Sequence, residues 1–205
     1  MTALPTFTLP ELEFLAEDSL VTLIPTHRMD VLHFISGSYG PFQPPSRIEV
    51  PLWLARLLKK KRRGHIQPPA WLRCAYLERK YEEEQRQPDR FSALPSRYME
   101  IANVLLECAE DDIPQSHTVK RMLQDLREIR QSKARAGLGA INPIYLQMDN
   151  LGVVELNEVR PVFCQAFNQT RRLEAGSNDA EATATGSTPG MYDESLKHNQ
   201  VDYGY

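Results

Sequence analysis

Five consecutive cations, Lys59-Lys60-Lys61-Arg62-Arg63, are the sharpest concentration of chemistry in this chain. Such a run can grip phosphate groups, meet an acidic partner or act as a nuclear import signal. It can also simply close a helix, because cations are favoured where the last backbone carbonyls have no intrahelical donor. Gly64 follows directly, so the helix-closing reading leads. No aromatic residue interleaves the run, which removes the stacking surface that single strands use. Two acidic clusters, Glu82-Glu83-Glu84 and Glu110-Asp111-Asp112, lack the alternating ligands and central glycine of a calcium loop. They are expected to be solvated helix ends. His27, His33 and His117 stand at no ligand spacing from Cys or Asp. Gly37-Ser38-Tyr39-Gly40 and Gly137-Leu138-Gly139 are followed by no Gly-Lys-Ser/Thr, and no Gly-x-Ser-x-Gly elbow occurs. The expectation is a protein with no catalytic, metal or cofactor-binding residues.

The chain has 205 residues, enough to bury a substantial core. Its 41% hydrophobic and 25% charged content is that of a globular protein. Through Leu173 there are 23 Lys and Arg against 21 Asp and Glu, and from Glu174 on one Lys against six acidic residues. The body is near neutral, so no broad nucleic-acid footprint is implied. Cys74, Cys108 and Cys164 are far apart and odd in number, which predicts reduced thiols. No apolar run approaches the ~20 residues of a membrane span, and no signal peptide is expected.

The elements that must position these residues read as α+β, mainly α. Thr8 and Glu11 have capping-box spacing with Pro10 in the first turn, predicting a short helix with Phe14 and Leu15 on its apolar face. Leu20–Ile24, Val31–Ile35, Arg47–Val50 and His65–Gln67 read as strands, with turn chemistry over Ser36–Pro41. Pro51 opens a helix through Leu58 that is apolar nearly all round. Residues 1–68 are therefore expected to form a small β-rich domain. Residues 69–173 are expected to form an α-helical bundle domain, with Trp53 and Trp71 in the core at the junction. Its helices start near Trp71, at Tyr98, at Ser116, at Asn142-Pro143 and near Leu156, the last containing Pro161. Residues 174–205, rich in Gly, Ser, Thr and acid, are expected to be a disordered acidic tail.

Ser116–Arg135 is the most regular of these helices. Val119, Met122, Leu126 and Ile129 follow at spacings of three and four, with Leu123 beside them. Lys120, Arg121, Asp125, Arg127, Glu128 and Arg130 take the opposite, polar face. The stripe is too short for a free coiled coil and needs packing partners. It is expected to pack on 98–109 and 156–173. The apolar faces exceed what about a hundred helical residues can cover by themselves. Met122, Leu126, Ile129, Val159, Phe163 and Phe167 are therefore candidates for contact with another subunit.

One collinear set of residues carries a resemblance. It comprises Phe14-Leu15-Ala16-Glu17, Leu20-Val21-Thr22-Leu23-Ile24-Pro25, Gly40-Pro41-Phe42, Glu49-Val50-Pro51-Leu52-Trp53-Leu54-Ala55, Pro68-Pro69-Ala70-Trp71, Asp149-Asn150-Leu151 and Glu155-Leu156-Asn157. Over residues 11–173 the chain resembles the second-subunit family of the eukaryotic GINS complex (partner of Sld five, number two). The resemblance implies a β-rich domain followed by a helical one, and assembly with three sister subunits into a heterotetramer. It implies that the tetramer joins the minichromosome-maintenance hexamer and a RecJ-like cofactor as the replicative DNA helicase in the nucleus. It implies no ATPase site and no catalytic residue, and contact with DNA at most indirectly; with no apolar span, no membrane partner is expected. The alternative is a DNA-binding module that uses Lys59, Lys60, Lys61, Arg62 and Arg63.

Overall fold

The computed structural model describes residues 6–137 and 148–184, with side chains described up to Leu173. The first helix, α1 (Leu9–Ala16), begins where the sequence predicts: the Thr8 backbone N–H and hydroxyl both donate to Glu11, at 2.7 and 2.9 Å. These bonds hold the Glu11 carboxyl below its ordinary value. The helix buries Leu12 and Ala16, however, and leaves Phe14 and Leu15 exposed. The face expected to pack inward is the outward one.

Strand β1 (Leu20–Pro25) is the centre of a three-stranded antiparallel sheet, order β4-β1-β5, with β4 (Ile48–Pro51) and β5 (Gly64–Gln67) at its edges. Leu23 lies opposite both Ile48 and Ile66 and is fully buried. Along β1, Val21, Leu23 and Pro25 point to the core while Thr22 and Ile24 are half-buried, the period-two pattern of a strand with one covered face. Pro51 ends β4 opposite Leu20 instead of opening the helix; an edge strand tolerates its missing N–H. The stretch expected to be only turn, Ser36–Pro41, contains a strand. Here β3 (Gly37–Tyr39) pairs with β2 (Leu32–Phe34) around a tight Ile35-Ser36 connection.

Helix α2 (Leu52–Lys60) buries Leu52, Leu54, Ala55 and Leu58. Trp53 meets Phe34 edge-on at 5.0 Å and Tyr39 at 6.1 Å, which fixes the hairpin against this helix. A 3₁₀ turn (Ala70–Leu72) and the extended Arg73 delay the next helix, α3, to Cys74–Arg86. Helices α4 (Tyr98–Cys108), α5 (Ser116–Gly137) and α6 (Val153–Ala184) follow, with a second 3₁₀ turn at Glu110–Asp112. Pro161 lies inside α6.

Contrary to the sequence expectation, the main neighbour of α5 is α3, with α4 a smaller one. One hydrophobic cluster runs without a break from Leu12, Leu23 and Val50 through Leu54 and Leu72 to Leu105, Leu126 and Val154, with Trp53 and Trp71 packed half-buried against it. The β-rich and helical segments thus share a core within the compact unit that extends to Phe167. The rest of α6 belongs to a second unit. That helix continues to Ala184, past the point where composition alone sets the start of a disordered tail. Residues 185–205 and the Asn142-Pro143 helix start lie outside the described residues. Cys74, Cys108 and Cys164 are free thiols, and no described helix is long and apolar enough to cross a membrane.

Asp112 joins the two halves of this core at one point. Its carboxylate accepts the Ile66 backbone N–H at 2.7 Å, and lies 2.8 Å from the Lys59 ammonium and 2.9 Å from the His65 ring. Replacing Asp112→Ala removes these acceptors and orphans an amide on β5. We expect a loss of about 2–3 kcal/mol in urea unfolding of the full chain, in the range for hydrogen bonds to a charged group.

Candidate partner surface and the buried ion cluster behind it

Arg130 was expected on the polar face of α5; it is instead 1% exposed, at the centre of the helical half. A guanidinium offers five N–H donors, and all of those on Arg130 are used. Nε and Nη2 form a fork on Glu155 of α6, at 2.7 and 2.8 Å. Nη1 reaches Glu84 of α3 at 2.6 Å and the Ser92 carbonyl at 3.2 Å, and Nη2 reaches the Asn150 carbonyl at 2.6 Å. The guanidinium also lies 5.1 Å from the centre of the Phe91 ring and 5.9 Å from that of Tyr98.

The carboxylates are equally well supplied. Glu155 accepts the Tyr98 hydroxyl and the Gly152 N–H, both at 2.7 Å. Glu84 accepts the Ser92 N–H and hydroxyl at 2.9 and 2.8 Å and forms an ion pair with Lys133. Two cations therefore face two anions. Burial penalises each charge, yet the hydrogen bonds and the opposite charges outweigh it: Arg130 is held above its ordinary pKa, and Glu84 and Glu155 below theirs. Burial and the Glu155 charge push the Tyr98 phenol well up. Arg130 has no spare donor, and the shifts of Arg130, Glu84, Glu155 and Tyr98 all run away from neutrality, so the chemistry of the cluster is cohesion.

Glu84 is 1% exposed, which corrects the reading of Glu82-Glu83-Glu84 as a wholly solvated helix end. The second acidic cluster is corrected in the same way, since Asp111 and Asp112 hold Lys59, each at 2.8 Å. Burial alone would lower the Lys59 pKa, but the two carboxylates raise it overall. Lys59 is thereby withdrawn from the basic run, while Lys60, Lys61, Arg62 and Arg63 remain exposed. Sequence reasoning missed Glu100 entirely. It is buried, one of its carboxyl oxygens has no partner, and burial raises its pKa. Among the described residues, no group of three or more His, Cys, Asp or Glu could hold a metal ion.

The six interface candidates divide. Leu126 is fully buried and Phe163 nearly so, which removes them from any surface; α3 packed along α5 uses the stripe inside the chain. Met122 and Ile129 are half-buried against the same core, and Val159 and Phe167 are half-buried on α6. The larger exposed apolar area lies elsewhere. Phe7 (52% exposed), Leu9, Phe14 (73%) and Leu15 lie at the N-terminus, and Leu156 (42%) and Val162 lie on α6. Asn157 ties Phe7 to α6. Its side chain accepts the Phe7 N–H at 3.0 Å and donates to the Phe7 carbonyl at 2.8 Å, so Phe7 lies beside the turn that carries Leu156. No single signal in the sequence marked this surface, because Phe14 and Leu15 match a core-facing pattern as well as an outward one.

A small β-rich segment runs into a helical bundle, with a saturated ion cluster inside and apolar side chains outside: an α+β module in two collinear parts. Residues 8–67 match the family model described as the PSF2 N-terminal domain, and residues 71–173 match the GINS complex protein helical bundle domain. The chain belongs to the PSF2 family of GINS proteins. It is 41% identical over 167 residues to the DNA replication complex GINS protein psf2 of Schizosaccharomyces pombe, covering 82% of this chain and 91% of that one. It is 37% identical over 193 residues to the PSF2 protein of Debaryomyces hansenii, covering 94% and 92%. To the human PSF2 protein it is 34% identical over 177 residues, covering 84% and 95%.

Removing Arg130 leaves two buried carboxylates with too little compensation. Arg130→Ala is expected to cost about 3–5 kcal/mol in chemical unfolding, the usual result of breaking a buried pair from one side. The acid limb gives a second reading. Glu84 and Glu155 have folded pKa values below the unfolded value of 4.5. Their contribution is therefore complete above that pH and is lost as the pH falls through the depressed folded values. The wild type should lose stability steeply below about pH 4.5, with a shallower loss in Arg130→Ala.

Proposed function

We propose that this protein is a non-enzymatic structural subunit of a GINS heterotetramer in the nucleus. In this reading the tetramer joins the minichromosome-maintenance hexamer and a RecJ-like cofactor to form the replicative DNA helicase. The observation that carries the reading is the pair of collinear family matches over residues 8–67 and 71–173, in relatives named as DNA replication complex GINS proteins. Two physical features support it. The densest cluster of charged groups is saturated internally and so is suited to stiffening a scaffold. The apolar side chains of Phe7, Phe14, Leu15 and Leu156 are exposed in the isolated chain, and Phe7 lies beside the α6 turn that carries Leu156; adjoining exposed apolar side chains mark an interaction site.

Co-expression with three sister subunits tests the reading. Phe14→Asp and Leu156→Asp alter exposed positions, so the fold of the chain should change by no more than about 0.5 kcal/mol. At an interface each would bury an unpaired carboxylate, and the expected outcome is loss of co-purification or a drop in affinity of at least about a hundredfold. Normal assembly of both variants would sink the interface assignment. A wild-type chain that stays monomeric in the presence of its sisters would sink the scaffold reading itself. Leu126→Asp is unsuitable for this purpose, because it attacks the chain's own core.

A further inference from the structure

The basic run does not survive folding as one patch. Lys59 is taken by Asp111 and Asp112, but the sheet register supplies replacements from elsewhere in the sequence. Leu23 lies opposite Ile48 and Pro25 opposite Gly64, so the exit of β1 and the entries of β4 and β5 fall at one end of the sheet. That end gathers Arg28 just after β1, Arg47 just before β4, and Lys60, Lys61, Arg62 and Arg63 just before β5. Two of the three segments are fastened to each other. The Thr26 N–H donates to the Arg63 carbonyl at 3.0 Å, and the Thr26 hydroxyl to the Arg62 carbonyl at 3.3 Å.

All six cations are exposed, and none has an ion-pair partner among the described residues. Elsewhere Arg56, Lys59, Lys80, Arg86, Arg121, Arg127, Arg130 and Lys133 are paired. Asp30 is the one carboxylate in the three segments. Of the 23 Lys and Arg through Leu173, eight are in ion pairs; the six at this end of the sheet are not, and they stand together.

We propose that this end of the β4-β1-β5 sheet binds the phosphodiester backbone of duplex DNA, by charge and without reading base sequence. Tight protein partners are usually anchored by buried aromatic or apolar side chains, and the six residues offer none. A polyphosphate needs only cations, since release of its condensed counterions drives the binding. Arginine adds paired donors matched to phosphate oxygens. No Phe, Tyr or Trp stands in these segments, so the surface lacks the stacking platform of a single-strand site. The inference goes beyond the scaffold role and does not depend on it.

The test is binding of a short labelled duplex by the full chain, alone and assembled with its sister subunits, across a salt series. The comparison is a quadruple variant, Arg28→Ala, Arg47→Ala, Lys60→Ala and Lys61→Ala. Arg62 is left in place because its backbone has φ +56°, and Arg63 because it contacts Met29. The expected result is at least tenfold weaker binding, with the slope of log affinity against log salt reduced by up to about 0.9 per lost contact. Assembly with the sister subunits should be unchanged, and Arg121→Ala on α5 should leave both affinity and slope unchanged. Absence of duplex binding by the wild type at low salt would overturn the proposal. So would an unchanged slope in the quadruple variant, or tighter binding of a single strand than of the duplex. If the quadruple variant binds duplex normally but loses an acidic protein partner, the surface is a protein site and the proposal fails.

Discussion

Arg130 carries a positive charge into a space closed to water, and the helical half is arranged around what that charge requires. An unpaired guanidinium there would be intolerable, so five acceptors converge on it from α3, the loop after it, the loop before α6, and α6 itself. Each acceptor can reach it in only one relative placement of those elements. A well-packed apolar cluster of the same volume could be as stable or more so. What the ionic version adds here is register: α5 cannot slide by a turn along α3 without leaving Glu84 and Arg130 unpaired together. Under the proposed subunit role, fixed relative placement of its helices is the useful property.

The same requirement explains which parts of the structure were legible in the sequence. Order, type and approximate bounds of the main elements follow from period and punctuation: Thr8 and Glu11 start α1, and the Val119-Met122-Leu126-Ile129 spacing marks α5. Arg130 was not legible. It occupies the polar side of α5 by period, and burial depended on Glu84 and Glu155, 46 and 25 residues away. The acidic clusters failed in the same way, since whether Glu84 or Asp112 is solvated depends on a partner brought by tertiary folding. Phe14 and Leu15 failed for a different reason. A short helix with apolar residues on more than one side can turn either face inward, and the choice fell to Leu12 and Ala16.

That choice bears on assembly. The stripe of α5 looked like surplus apolar surface, yet α3 covers it, and Leu126 is spent on the internal core. The surplus appears instead where the N-terminal segment is tied by Asn157 to α6, with Phe7 and Leu156 brought close together. Surplus apolar residues are countable from a sequence, but their address is set by whichever elements win the core. Exposed apolar surface of this kind costs an isolated protein solubility, and in the reading proposed above it is contact area.

Charge is redistributed by the same logic. Five cations adjacent in sequence are not five cations adjacent in function: α2 ends within the run, so Lys59 turns toward Asp111 and Asp112 while its successors leave the helix and enter β5. Antiparallel pairing then brings Arg28 and Arg47 to the same end of the sheet from segments that carry no visible charge run. A linear basic motif thus exchanges one member for two others, and the resulting surface is defined by strand register. Any chain that keeps this register and the Asp112 tether keeps the surface, even if the run itself is shortened to the residues that follow Lys59.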